Sequence, residues 1–429
     1  MSFPEDRCLT AAGQISSHAP DGRRWLIVVL LFVAMLVNYV DRGSLSIAAV
    51  PLMREFGLTP AAMGALLSAF FWTYAFLQIP AGYLVDRFGL KWTYASAFLL
   101  WCSASFAIGL AGSFQQILAL RLLLGVGESA ATPASLAYIR QNFDEDQQGL
   151  PTAVYVSGML LGPAVGALLG TYLLTRLGWR MLFVMTGLGA LIWLVPWLIW
   201  APSAPTRPAA RATSSPRTAI AWGMLVTRPT FWGITISAFF YSYFSYFCLT
   251  WLPSYLVMVR GYSFLKMGAY TAAPYLGSVL ISVSSARIAD KLVSRAGHPL
   301  LVRKLLVSAG FILGSSIVLL LMLHSSVGVL ATLALSLLGI GLATGNYWAA
   351  TEALSPRPIV GRVIGYQNTI ASLGGICAPV LTGFLVGKTK SFDMSILIAS
   401  AALLVAAGAY LILLRERDVR SLMEQFPDR

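Results

Sequence analysis

Apolar runs as long as a bilayer is thick recur along this chain, and no other feature restricts its fold so strongly. Residues 56–85, 150–175, 181–206, 229–259 and 305–351 hold no Asp, Glu, Lys or Arg. About 20 such residues carry a helix across about 30 Å of hydrocarbon, so each run meets or exceeds one crossing. The last is long enough for two, with a break expected at 324–328. Of the 429 residues 57% are hydrophobic and only 11% charged, whereas a soluble domain carries about a quarter charged residues. The chain reads as an all-α, polytopic integral membrane protein.

Setting every apolar run against turn and charge signals predicts twelve crossings, centred near residues 38, 72, 101, 127, 160, 189, 242, 275, 312, 339, 373 and 403. An even count puts both termini on one side. That side carries 21 of the 30 Lys and Arg, the opposite loops 7, and Arg42 and Arg121 fall within the membrane. By the positive-inside rule the termini are cytoplasmic, in the plasma membrane, of the bacterial inner-membrane kind. The same asymmetry accounts for the net charge of +13 without nucleic-acid binding, for which no soluble domain is left over. The lipid bilayer is the expected macroscopic partner.

A Pro/Ala/Ser/Arg-rich stretch divides the chain. The expected organisation is a cytoplasmic tail (1–22), a six-helix bundle (23–200), a cytoplasmic linker (201–228), a second six-helix bundle (229–414) and a cytoplasmic tail (415–429). The N-terminal segment is polar and the first apolar run is too long for a cleaved signal, so helix one reads as an uncleaved insertion signal. The halves echo one another: Gly82-Tyr-Leu-Val-Asp86-Arg87-Phe-Gly89-Leu-Lys91 has a degraded counterpart in Ala286-Arg-Ile-Ala-Asp290-Lys291. Two related bundles with a binding site between them near the midplane suit alternating access.

Four ionisable groups interrupt this apolar pattern. Asp41 and Arg42 lie within run 25–53, and Arg121 and Glu128 within run 114–139. A charge at bilayer depth costs about 2.5–3.5 kcal/mol on insertion scales, which makes such groups candidate functional residues facing a watery cavity and pairing with one another. Seven residues separate Arg121 from Glu128, nearly the same helix face about 10 Å apart. Arginine keeps its proton and offers a donor array matched to a carboxylate, so Arg42 and Arg121 suit an organic anion. Asp41 and Glu128 can carry protons. With both acids ionised the four groups sum to zero, so a monoanion enters most cheaply together with a proton. Burial and a neighbouring guanidinium push a carboxyl in opposite directions, so the two acids are expected to titrate differently. A purely structural ion network is the competing reading.

The sequence Gly82–Lys91 resembles the signature between helices two and three of the major facilitator superfamily, and the twelve-segment plan extends the resemblance over the whole chain. Within that superfamily, Asn38-Tyr39-Val-Asp41-Arg42, Arg121 with Glu128, and Thr250-Trp251-Leu-Pro253-x-Tyr255-Leu resemble the anion:cation symporters. The resemblance implies proton-coupled symport of an organic anion, most consistent with a sugar acid such as a hexuronate or aldonate, by a monomeric carrier. It also implies that Tyr74, Trp348 and Asn368 line the substrate site. Vesicular dicarboxylate carriers of that family use an additional arginine in helix seven, and segment 231–258 has none.

No acidic residue occurs between Asp146 and Asp290, so coupling is expected in the first bundle. The second offers neutral groups for hydroxyls: Tyr243, Tyr246, Asn346, Trp348, Gln367 and Asn368. Asp86, Arg87, Lys91 and Asp290 read as a cytoplasmic gate between the bundles that biases the outward-facing state, and Glu352 as a gate residue or solvated helix end. The rival transport reading is a proton-coupled drug antiporter of the same superfamily, resting on Gly158-x3-Gly162-Pro163-x2-Gly166-x3-Gly170. Glycines at that spacing also let helices approach closely, and cationic drugs would meet two arginines. A polytopic membrane enzyme would need an acid/base pair near one face. Neither catalysis, cofactor nor metal has support: His18, His298 and His324 are scattered, Cys8, Cys102, Cys248 and Cys377 form no paired motif, and Gly383-Phe-Leu-Val-Gly387-Lys388-Thr389 is one residue short of a phosphate loop.

Overall fold

The computed structural model describes residues 21–144, 147–202, 223–296, 298–354 and 360–418. Most of the expected linker and tails lies outside the described residues, as do the side chains of Asp86 and Glu352. Among the described residues there is no strand. The helices are α1 (Asp21–Phe56), α2 (Pro60–Phe88), α3 (Leu90–Ile108), α4 (Phe114–Glu128), α5 (Ala131–Asn142), α6 (Gly149–Ala190), α7 (Leu194–Trp200), α8 (Pro229–Met258), α9 (Phe264–Ala296), α10 (Pro299–Gly314), α11 (Ser326–Leu354), α12 (Val360–Thr389) and α13 (Asp393–Leu413).

These elements make twelve crossings. Eight stretches are long and apolar enough by length and hydropathy, and one of them, Gly149–Trp200, holds two. The helices α3, α8 and α9 complete the set. Large apolar side chains cover the outside, with Ile192 74%, Leu280 70% and Ile412 69% exposed, a surface that suits lipid and not water. The break expected at 324–328 falls where α10 has run through a 3-10 turn, Ser315–Leu321, and α11 begins.

Local chemistry sets the ends. Thr59 Oγ1 caps α2 by accepting from Ala62 N, with Pro60 in the first turn where its missing N–H costs nothing. Ser113 caps α4 by accepting from Gln116 N at 3.3 Å. Two helix reversals use one backbone device: Gly89 (φ 82, ψ 161) joins α2 to α3, and Gly178 (φ 83, ψ 170) divides α6 into its two crossings. Only glycine takes that conformation without strain. The surrounding residues repeat too, as Arg87-Phe-Gly89-Leu-Lys91 and Arg176-Leu-Gly178-Trp-Arg180. This echo, on opposite faces of the first half, escaped the sequence analysis, which compared only the two halves.

The fourth crossing spans Phe114–Asn142, but its hydrogen-bond ladder is interrupted at Ser129–Ala130, where both residues keep helical dihedrals. Pro133 has no N–H to give the Ser129 carbonyl, so the ladder lapses there, directly after Glu128.

The glycine series of α6 proves to be a packing seam against α1. A Cβ on Gly158 would lie 2.7 Å from Phe32 O, and one on Gly162 would lie 2.3 Å from Tyr39 Cβ. Between the halves, contact concentrates at the end away from the termini. Gly64 and Gly383 bring α2 and α12 together, a Cβ on Gly64 standing 2.5 Å from Pro379 O. Gly268 of α9 packs on Thr171 of α6, and Ser46 Oγ donates to Thr250 O at 2.6 Å. Towards the termini, Phe76, Ile79 and Tyr83 of α2 are exposed. The molecule is closed at the distal end.

Candidate functional site

Three helices bring the four buried charges together. The α1 segment supplies Asn38, Tyr39, Asp41 and Arg42, α4 supplies Arg121 and Glu128, and α2 supplies Phe70 and Tyr74. Glycine again permits the approach: a Cβ on Gly125 would lie 2.3 Å from Phe70 O, so α4 rests directly on α2.

Arg42 is the centre of the cluster. Its Nε donates to Glu128 Oε2 at 2.9 Å, and the two side chains are 5% and 0% exposed. Its guanidinium carbon stands over the rings of Tyr39, Phe70 and Tyr74 at 4.8, 4.6 and 4.6 Å. Each such contact contributes about 0.5–2 kcal/mol. From the second half, Tyr246 OH accepts from Arg42 Nη1 at 3.5 Å, and its ring packs edge-on to Phe71 with centroids 4.5 Å apart. Arg42 therefore joins Glu128 to the interface between the halves.

The other two charges are held differently. Asp41 Oδ1 accepts from Ser105 Oγ at 3.1 Å. Arg121 also lies over the Phe70 ring, at 5.6 Å, and its Nε and Nη1 have no protein partner. Asp41 Oδ2, Glu128 Oε1 and both polar atoms of Asn38 are likewise buried without a well-formed hydrogen bond, with Asn38 beside Glu128 and Trp101 beside Asp41. Buried polar groups are almost always bonded, so this concentration of unmet donors and acceptors marks a place built for something other than packing.

The expected pairing among the four groups is present as Arg42–Glu128, and the structure departs from the expectation in exposure. Glu128 reaches across to Arg42 and not along its own helix to Arg121. None of the four groups faces an open watery cavity, Arg42 at 6% being the most exposed. Closure at the distal end and the packing of Tyr39, Tyr74 and Tyr246 around the guanidinium are the physical reasons.

Among the substrate residues expected from sequence, Tyr74 joins Arg42 directly. Asn368 does not; its Nδ2 donates to Gln78 Oε1 at 2.6 Å, a bond that crosses between the halves. Trp348 packs edge-on to Tyr347, centroids 5.5 Å apart. Tyr243 is buried where α8 backs on to α12, beside Gly374. Phe70 and Ser105 were not singled out from the sequence, and Asn38 entered only as part of a motif, although the spacing of Phe70 and Tyr74 by four already put both on one helix face.

Of the expected gate residues, Arg87 is exposed over the Phe88 ring at 5.3 Å, and the Lys91 carbonyl accepts from Trp197 Nε1 at 3.0 Å. Asp290 pairs with Arg303 at 2.8 Å within its own half. No hydrogen bond between the halves lies closer to the termini than Gln78–Asn368 among the described residues. None of the described residues forms a metal-binding group of His, Cys, Asp or Glu.

Comparison with known families then decides the broad identity. The profile of the Major Facilitator Superfamily matches residues 31–379. The chain belongs to this superfamily. It is a membrane transporter and not an enzyme. Among curated superfamily relatives, a D-galactonate transporter of Escherichia coli is 28% identical over 421 residues, covering 93% of this chain and 97% of the relative. A hexuronate transporter of Bacillus subtilis is 29% identical, covering 91% and 94%. A chloroplastic ascorbate transporter of Arabidopsis thaliana is also 29% identical, covering 87% and 71%. Among solved superfamily structures, a bacterial homologue of the human lysosomal transporter Spinster superposes with a TM-score of 0.76 at 17% identity, covering 96% of this chain and all of that one.

Proposed function

We propose that this transporter carries a hydroxylated organic monoanion, a sugar acid such as a hexuronate or aldonate, in symport with protons by alternating access. The observation that carries the reading is the Arg42–Glu128 pair, buried at the interface between the halves and touched there by Tyr246. A carboxylate substrate and Glu128 compete for one guanidinium. A proton on Glu128 releases Arg42 to the substrate and keeps the pocket near neutrality, so anion and proton enter together. Arg121, with two unengaged donors, is the second cation for the substrate, and Asp41 is the second proton site. Tyr74 and Tyr246 flank the carboxylate, while Tyr243, Trp348 and Asn368 serve the hydroxyls as the halves move. The names of the D-galactonate and hexuronate relatives support the substrate class.

With the termini cytoplasmic, closure at the distal end makes this an inward-facing state. Asp86, Arg87, Lys91 and Asp290 then form the gate that closes the cytoplasmic side in the opposite state. The α6 glycines, which pack α1, lend the drug-antiporter reading no separate support.

Counterflow in proteoliposomes, across a panel of sugar acids and aromatic acids at two pH values, tests the reading. Exchange of a hydroxylated monocarboxylate, with net uptake driven by an imposed proton gradient, is the expected result. Flux of neutral or cationic solutes alone would overturn it.

A further inference from the structure

At the termini end of the second half, between the first turns of α10 and the end of α13, lies a pocket of about 370 Å³ lined by His298, Leu300, Leu301, Lys304, Ile412, Leu414, Arg415 and Glu416. It is remote from the charge cluster of the first half. Lys304 and Arg415 in its lining are basic and Glu416 is acidic. Lys304 Nζ donates to Leu414 O at 2.8 Å, which ties the two helices together and fixes the ammonium at the pocket wall. Arg303 next to it is occupied by Asp290, so Lys304 and Arg415 are the cations that face the space.

The pocket's depth is informative. The apolar span containing α10 starts at Leu300 and that of α13 stops at Leu413, so the basic groups sit where hydrocarbon gives way to headgroups. Its apolar wall continues outwards: Leu301 and Ile412 are exposed, as are Leu305 and Ile312 further along α10. A basic mouth above an exposed apolar lane matches a molecule with an anionic head and an acyl tail. A soluble anion would satisfy the mouth and leave the lane unused.

We infer that this pocket binds the anionic headgroup of a phospholipid, with Lys304 and Arg415 on the phosphate and an acyl chain along Leu301, Leu305 and Ile412. A basic side chain at a membrane surface contributes about a fivefold factor in binding an anionic lipid. The bound lipid would clamp the start of α10 to the end of α13. That end is already anchored to α8 through Arg415 N, which donates to Thr230 Oγ1 at 3.1 Å.

The test uses the purified full-length protein, with phosphatidylglycerol, phosphatidylcholine and inorganic phosphate as separate probes, bound lipid counted by native mass spectrometry and stability read by thermal unfolding. Phosphatidylglycerol is expected to bind and raise the unfolding temperature. Lys304→Gln with Arg415→Gln should weaken it about 25-fold, and Glu416→Gln, which removes the one repulsive charge, should tighten it about fivefold. Equal binding of phosphatidylcholine, displacement of the lipid by millimolar phosphate, or a Glu416→Gln protein no tighter than wild type would each overturn the site. The last variant keeps the test decisive if the double substitution does not fold.

Discussion

Arg42 Nε lies 2.9 Å from Glu128 Oε2, and the bond joins helices α1 and α4 inside a closed core. Removing one partner of a buried ion pair leaves the other charge uncompensated, at about 3–5 kcal/mol. Arg42→Gln is therefore expected to abolish transport and lower the unfolding temperature in detergent. Arg42→Lys keeps the charge but not the planar donor array, and uptake should fall about tenfold to a hundredfold. Wild-type uptake by the lysine variant would show that donor geometry at this position is irrelevant.

Glu128→Gln separates coupling from binding. The amide stays hydrogen-bonding but cannot exchange a proton, so counterflow should persist while accumulation against a gradient is lost. A Glu128→Gln carrier that still concentrates substrate under a proton gradient removes Glu128 from the coupling path.

Tyr246 is the contact from the second half to Arg42. Tyr246→Phe retains the ring that packs on Phe71 and loses only the hydroxyl at 3.5 Å from the guanidinium. Apparent substrate affinity is expected to weaken about threefold to tenfold with unchanged thermal stability. A fall in stability with unaltered affinity would make Tyr246 a packing residue.

The distal closure rests on contact between glycines. A Cβ on Gly64 meets backbone, Pro379 O at 2.5 Å and Gly383 Cα at 3.2 Å, and backbone cannot swing aside as a side chain can. Gly64→Ala should shift the population towards the state open at that end. In a protein whose cysteines are replaced by serine, Ser46→Cys should then react faster with an impermeant maleimide added on the side opposite the termini. An unchanged rate would show that the α2–α12 contact does not hold the gate.

Gly178 and Gly189 make a matched pair for stability. Gly178→Ala forces a side chain into φ 83, at about 1–2 kcal/mol, and should lower the unfolding temperature. Gly189 is helical with nothing within 4 Å of a would-be Cβ, so Gly189→Ala should be neutral or stabilising.

The twelve crossings, the four membrane charges and the superfamily were legible without coordinates, because hydropathy, length and charge are properties of a segment read by itself. The Gly178 reversal was legible too, had Arg176-Leu-Gly178-Trp-Arg180 been compared with Arg87–Lys91 inside one half. Other features depended on neighbours. Helical spacing puts Arg121 and Glu128 on one face, yet Glu128 chose Arg42, since the choice depends on how closely α1, α2 and α4 approach. Tyr243 and Tyr246 are three residues apart on one helix, and only the contact with α1 separates the one that meets Arg42 from the one that backs on to α12.

The sequence alone thus determined that the chain crosses a membrane twelve times and carries two acids and two cations at depth, because burying backbone and charge in hydrocarbon has consequences that each segment meets individually. Tertiary structure alone decided which acid holds which cation and that the cluster is shut from water in this state. Those outcomes are pairwise distances between segments far apart in the chain, which no segment read by itself contains.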